Sequence, residues 1–388
     1  MITSKLNLRK VVAIAICLAA TATMFAQTTD VYVGGNDNGK ATIWKNGEPQ
    51  YLAEDGSISS VVVVKGNVYA AGKDDVSFNA KVWKNGEELY VLGNYLVNSM
   101  AVSESGVVYV SGGSLETGVK VWKDGEVEDG YADADWLNCI FLDGTDIYAT
   151  GYTTDMHSAV WKNGYLLYMS TGGVSIFVFD GDVYTTGSEY DSENDIWLNK
   201  LWKNNTTLYT SEIFGGTCIY ISEGVIYMAG MQFKEEENIP AIWIDGDVTE
   251  LAGGTYASSI FVSGSGIYVA GGGDGIAVLW ANGTADTLAT GGIYGTHSVF
   301  VVENGGIGVH DTESVNIAIY PNPVKDVLII ENGELKIENV EIYDGSGRKI
   351  VNYSLSTNQI NVSALPQGIY FVKLEMEKGT VTKKFVKE

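Results

Sequence analysis

Carboxylates are the most abundant reactive side chains in this chain of 388 residues, with 48 Asp and Glu against 24 Lys and Arg and only three His. They gather at Asp74-Asp75, Asp133-Ala134-Asp135, Glu189-Tyr190-Asp191-Ser192-Glu193-Asn194-Asp195 and Glu235-Glu236-Glu237. Clustered carboxylates beside Asn carbonyls suit a hard cation, so calcium is a candidate cofactor, although no cluster has the spacing of an EF-hand loop. A pair of such carboxylates would also equip a carbohydrate-active enzyme with its acid and base. His157, His297 and His310 adjoin neither a recognisable nucleophile nor a metal-ligand pattern, so no catalytic residue is assigned. Aromatic side chains near the clusters could stack on sugar rings or anchor a protein partner. Packing inside the fold is the competing use for each of them. The candidate ligand-binding residues are Tyr95, Tyr131, Asp133, Asp135, Trp136, Tyr256, Tyr294 and His297.

These residues are held by a repeat. Trp recurs at Trp44, Trp83, Trp122, Trp161, Trp202, Trp243 and Trp280, leaving only Trp136 and Trp197 outside the pattern. A turn follows each: Asn46-Gly47, Asn85-Gly86, Asp124-Gly125, Asn163-Gly164, Asn204-Asn205, Asp245-Gly246 and Asn282-Gly283. Asn-Gly and Asp-Gly favour type I′ hairpins, whose two central residues both need positive φ, so the Trp strand doubles back on itself. Tyr with Gly three residues later marks a second strand, at Tyr32/Gly35, Tyr69/Gly72, Tyr109/Gly112, Tyr148/Gly151, Tyr184/Gly187, Tyr227/Gly230 and Tyr268/Gly271. An apolar strand such as Ser60-Val61-Val62-Val63 precedes each Tyr strand from the second onward, and a short polar strand follows each Trp hairpin.

Four-stranded units repeated seven times predict a seven-bladed β-propeller over residues 27–303. The first unit lacks its inner strand, and Ser298-Val299-Phe300-Val301 supplies one at the far end. The first blade is therefore expected to be split, closing the ring. One set of connections is tight. The opposite set, including Lys73 to Asn79, Tyr152 to Ser158, Ser188 to Asn199 and Met231 to Pro240, reads as long and variable. That face is the candidate binding surface. Ser59, Asn98, Asn138, Val174, Thr217, Ser258 and His297 fall at one repeat position beside the central channel, where small polar side chains suit hydrogen bonding at strand starts. Cys139 and Cys218 share the next position with Ser60, Ser99, Ser175, Ser259 and Ser298, which marks them as small packed residues.

At the N-terminus, Lys5, Arg9 and Lys10 precede an apolar run from Val11 to Ala20, and small residues extend to Ala26. This reads as a signal peptide over residues 1–26, which leaves no transmembrane span in the mature protein. Losing its three cations takes the formal charge from −24 to −27. Such a charge excludes nucleic acid as a partner. Two mature cysteines make no disulfide framework.

The last segment, residues 317–388, is electrically balanced, with nine basic and nine acidic residues, and so stands apart from the acidic repeat region. It carries Tyr320-Pro321-Asn322-Pro323, Asp344-Gly345-Ser346-Gly347-Arg348, Leu365-Pro366-Gln367-Gly368-Ile369-Tyr370 and Lys383-Lys384-Phe385-Val386. These motifs, in this order, resemble the C-terminal sorting domain of type IX secretion substrates of Bacteroidota-type bacteria. The sorting residues the resemblance singles out are Pro321, Asn322, Pro323, Gly347, Arg348, Leu365, Pro366, Gly368 and Tyr370. It implies a small immunoglobulin-like β-sandwich, recognition by the outer-membrane type IX machinery, and a secreted or surface location after export to the periplasm. Short alternating strands at 327–330, 340–343 and 369–374, broken by Gly, Pro and Asn, point to a small sandwich without it. The whole chain thus reads as all-β: a leader, a propeller, a linker over 304–316 and a sorting domain over 317–388. The expected role is binding or adhesion to an extracellular glycan or protein, with the carbohydrate-active enzyme as the alternative.

Overall fold

The computed structural model describes residues 28–114, 118–234, 237–264, 266–291, 295–304, 318–331, 337–344, 349–353, 359–376 and 379–388. The segment over residues 1–26 that reads as a signal peptide, all of the expected linker but Asn304, Glu235, Glu236, Tyr294, His310, Gly347 and Arg348 lie outside them. The chain divides into one unit over 29–304 and another containing the C-terminal segment.

The first unit consists of seven four-stranded antiparallel sheets. Each contains one repeat Trp, and we number the sheets in the order of those Trp residues. In the second sheet the strands are Gly56–Val64, Asn67–Asp74, Asn79–Lys84 and Glu87–Gly93, paired in chain order from inner to outer. The first sheet differs in chain order only, because its inner strand is Thr296–Asn304, beside Thr28–Asp37. The inner strands touch in succession, and the last meets the first, so the ring is closed. The split unit expected from the sequence is therefore its fastening.

The repeat residues are explained by one local arrangement. Every inner strand whose register shift is resolved bulges just before its Ser or Cys, between Ile58 and Ser60, Val97 and Ser99, Leu137 and Cys139, Gly216 and Cys218, and Ala257 and Ser259. The bulge pushes backbone against the Gly of the adjacent Tyr strand. A Cβ on Gly35, Gly72, Gly112, Gly151, Gly187, Gly230 or Gly271 would lie less than 3.0 Å from a backbone oxygen of the chain just before or within the bulge. The repeat Trp rings close over the same place and are buried, at 0–4% exposure. Gly at that position is thus required by close approach rather than by φ.

The bulge also turns a polar residue toward the next sheet. Asn98 donates to Leu137 O at 2.7 Å, Asn138 to Gly173 O at 2.5 Å, Thr217 to Ala257 O at 2.6 Å and Ser258 to Thr296 O at 2.7 Å. One position later the direction reverses. The N–H groups of Val61, Ile140, Ile219 and Val299 donate to the hydroxyls of Ser298, Ser99, Ser175 and Ser259 at 3.1–3.2 Å. The channel-side ring of small polar residues is therefore stitching between sheets. Cys139 and Cys218 occupy the same ring, with Sγ 3.8 and 4.0 Å from the carbonyls of Ile140 and Ile219. Burial pushes both thiols up, that of Cys218 to about 11, which fits inert packing.

At the other end of each sheet the hairpin Asn or Asp has positive φ, as the turn type demands. Its side-chain oxygen accepts the N–H at the start of the Tyr strand in all seven sheets, at 2.8–3.1 Å. The faces differ from expectation in one respect. Three of the loops that read as long are four-residue turns, at 75–78, 154–157 and 192–195, because the flanking strands go on pairing beyond the sheet, as Tyr190 does with Trp197. The longest inner-to-Tyr connection, Ser103 to Val107, lies on the face expected to be uniformly tight.

The C-terminal unit is a sandwich of a three-stranded sheet (Ala318–Tyr320, Val327–Glu331, Gln359–Asn361) and a four-stranded one (Lys349–Tyr353, Ile337–Asp344, Gly368–Met376, Gly379–Lys387). Leu328, Ile330, Val340, Ile342, Val372, Leu374 and Phe385 form its shared core.

Replacing Gly151 by Ala is expected to cost about 3 kcal/mol or more, because the new methyl must displace the backbone at Trp136. Asn163→Ala should cost roughly 1–2 kcal/mol for its lost strand tie, whereas Asn163→Asp should fall within about 0.5 kcal/mol of wild type, since Asp124 and Asp245 already fill that role. Chemical denaturation of the three variants measures all of these.

Candidate functional site

Most of the sequence-nominated aromatics are committed to packing. Tyr95 meets the ring of Trp122 edge-on, with centroids 5.1 Å apart. Tyr131 is 5% exposed, in a core with Val121, Leu137 and Trp161. Its N–H donates to Gly164 O of the following sheet's hairpin at 3.0 Å. Tyr131 was expected on the surface of the long-loop face, and it stands between sheets instead. The cause is the third sheet's outer strand, which is only Glu126–Val127, so the chain leaves early and crosses to the next sheet. The Tyr256 hydroxyl accepts the Gly295 N–H at 2.9 Å. Trp136 is half-buried and donates through Nε1 to Asn138 Oδ1 at 2.7 Å. Asp133 and Asp135 are exposed near the start of the fourth sheet's inner strand, and the Asp133 carbonyl accepts the Thr154 N–H at 3.1 Å. His297 is half-buried, and burial lowers its pKa below the ordinary histidine value.

The structure brings forward residues that sequence reasoning passed over. Tyr190 and Trp197 are cross-strand partners on the projecting hairpin of the fifth sheet, 46% and 64% exposed, with ring centroids 5.4 Å apart at 52°. Tyr190 donates its hydroxyl to Asp195, and Lys200 pairs with Glu189 beside them. Asn194 and the Glu193 N–H hold the Asp191 carboxyl below its usual range. Ile213, just before the sixth sheet, and Phe233 within it are also exposed, and are joined by the Phe233 N–H to Ile213 O bond of 2.7 Å. The signal was available, because Trp197 is one of two tryptophans outside the repeat register.

Asp74 accepts from Lys81 at 2.9 Å and from the Ser77 hydroxyl at 2.9 Å. Among the described residues, no group of three His, Cys, Asp or Glu could hold a metal ion.

On the tight-turn face a Lys follows the repeat Trp in five sheets and lies over its Tyr ring, 4.9–5.5 Å from the centroid. In three sheets an Asp two residues before the Tyr neutralises it: Lys45–Asp30 at 2.9 Å, and Lys162–Asp146 and Lys203–Asp182 at 2.7 Å.

In the C-terminal unit the sorting motifs are structural clasps. Asn322 Oδ1 accepts the Val386 N–H at 2.8 Å, while the Val324 N–H donates to Val386 O at 2.8 Å, which binds the start of the unit to its last strand. The Tyr370 hydroxyl donates to Pro366 O at 2.9 Å, and its ring stacks on Phe385. The Leu365 N–H donates to Val362 O at 3.0 Å.

Residues 318–388 match the family described as secretion system C-terminal sorting domain. This unit is a type IX sorting domain. Its presence implies export through the type IX machinery to the cell surface or the extracellular space. Curated proteins offer no relative. Among solved structures, the β-propeller domain of the Trilobed protease from Pyrococcus furiosus is 13% identical, over 68% of this chain and 95% of that one, with a TM-score of 0.44. PorZ, a bacterial surface component of the type IX secretion system of Porphyromonas gingivalis, is 13% identical over 91% of this chain and 73% of its own, with a TM-score of 0.31. A protein of unknown function from Bacteroides caccae is 15% identical over 57% and 89%, with a TM-score of 0.38. These likenesses concern fold and carry nothing about ligand. Among the described residues, no helix is long and apolar enough to cross a membrane.

A histidine whose pKa is depressed in the folded state favours folding only while it is neutral. Stability should therefore fall as pH drops below about 6.5. His297→Asn, which copies Asn98 and Asn138 at the same ring position, should flatten thermal stability between pH 7 and pH 5, as followed by scanning calorimetry. A wild-type profile already flat over that range would contradict the burial assigned to His297.

Proposed function

We propose that this chain is an extracellular binding protein, exported by type IX secretion after a signal peptide over residues 1–26 takes it to the periplasm. It engages a glycan or protein through the face from which the Tyr190–Trp197 hairpin projects, the candidate binding face of the sequence. The observation that carries the reading is the exposed Tyr190–Trp197 pair, an aromatic platform on a projecting hairpin of a chain addressed to the outside of the cell. Aromatic side chains exposed at such cost to solubility are typical binding anchors.

The alternative of a carbohydrate-active enzyme would use carboxylates flanking the same platform, and hydrolysis of a bound oligosaccharide would reveal it.

Deleting residues 317–388 should leave the propeller in the periplasm, as read by fractionation and immunoblotting. Appearance of the truncated protein in the medium at wild-type levels would refute the sorting role. Screened on immobilised glycans and surface-protein extracts, the exported chain should bind saturably without turnover. Trp197→Ala should weaken that binding about tenfold or more, equivalent to roughly 1.4 kcal/mol.

A further inference from the structure

One inter-sheet cleft departs from the repeat in three ways at once. The turn between the inner and Tyr strands of the third sheet runs from Ser103 to Val107, whereas the corresponding turns of the second, fourth, fifth and sixth sheets have two residues. Val107 stands where Asp30, Asp146 and Asp182 stand in other sheets, so Lys123 has no carboxylate on its own Tyr strand. The shortened outer strand then brings Glu128 to Lys123 at 3.7 Å, a full ångström looser than the pairs made by Lys162 and Lys203.

Two adjoining cavities of about 550 and 180 Å³ open here on the tight-turn face, sharing Tyr109, Lys123 and Thr145 in their walls. The larger is walled by half-buried Val102, Val107 and Leu142, with Ser103 and Ser105 at its rim. The smaller reaches Glu128 and Tyr131, whose buried hydroxyl has no hydrogen-bond partner. Lys123 is steadied over the Tyr109 ring, 5.5 Å from its centroid.

We infer that this cleft between the third and fourth sheets binds a neutral saccharide, with vicinal hydroxyls bridging Lys123 and Glu128. The loose ion pair offers a cationic donor and an anionic acceptor side by side, spaced so that each can meet one of two vicinal hydroxyls. Apolar walls and a Tyr edge suit the C–H faces of a pyranose, and the Ser and Thr hydroxyls suit its rim, the usual composition of a small-ligand site. Charge selects against acidic sugars, because Glu104, Glu128 and Asp129 outnumber Lys123 along the walls. The site is independent of the Tyr190–Trp197 platform and lies on the opposite face.

The test is saturation-transfer difference NMR and calorimetry on the exported chain with maltotetraose, cellotetraose, mannotetraose and tetragalacturonate. At least one neutral probe should bind saturably. Lys123→Ala and Glu128→Ala should each weaken it about tenfold, while Lys203→Ala, at the repeat-equivalent lysine paired with Asp182, should not. Preference for tetragalacturonate, binding lost with Trp197→Ala but kept with Lys123→Ala, or no binding of any neutral probe at millimolar concentration would each overturn the assignment. Lys123 and Glu128 are surface residues, and unchanged melting temperatures would separate lost binding from lost folding.

Discussion

Everything in the ring depends on the close approach of the inner-strand bulge to a glycine of the neighbouring strand. At Gly72, Gly151 or Gly230 there is no room for a Cβ, since backbone oxygens occupy its place. The bulge inserts one residue, and that residue leaves the pleat and faces the adjacent sheet. Asn98, Asn138, Thr217 and Ser258 use this freedom to donate across the gap, and a hydroxyl one step on accepts in return. Inner strands of neighbouring sheets share no ladder, so these side chains satisfy backbone groups that burial would otherwise strand. Apolar packing supplies most of the cohesion, but it is non-directional. The polar stitches set the angle at which one sheet meets the next, and a ring closes only if that angle recurs.

The same logic explains which parts of the architecture could be read in advance. Trp, Tyr, Gly and the hairpin Asn are fixed by contacts within one sheet, so each unit repeats them at short range. The split first unit was equally legible, because an inner strand missing at Val31 and a spare one at Ser298 leave one arrangement in which every strand has a partner. Loop lengths were not legible. Pairing continues through Tyr190 and Trp197 because a polar, aromatic ribbon can extend beyond a packed sheet, and nothing in its composition separates that from a loop. Tyr131 was misplaced for a related reason, since the early exit of the chain after Val127 is a tertiary event with no local turn signature. The cleft at Lys123 was invisible for the same cause: it needs residues near 105, 123, 128 and 145 together, drawn from two sheets.

A ring of seven like units has no unique site unless the likeness is broken. Departures from the repeat are therefore better guides to function than the abundant residues that obey it. Acidic residues of two clusters are held in ion pairs and capped turns, Asp74 by Lys81 and Asp191 by Asn194. The two tryptophans outside the register fare differently from the seven within it. Trp136 is held by Asn138 beside the ring of stitches, while Trp197 stands in solvent. Val107 breaks the pattern by omission, leaving Lys123 without the Asp that neutralises Lys45, Lys162 and Lys203. Hydrophobic burial has no use for an exposed indole, and surface stability gains little from a loosened ion pair. Each departure either leaves stability unchanged or weakens it slightly, so a demand other than folding must account for it. The two demands act on opposite faces of the ring, one at the turns beside Lys123 and one at the hairpin that carries Trp197.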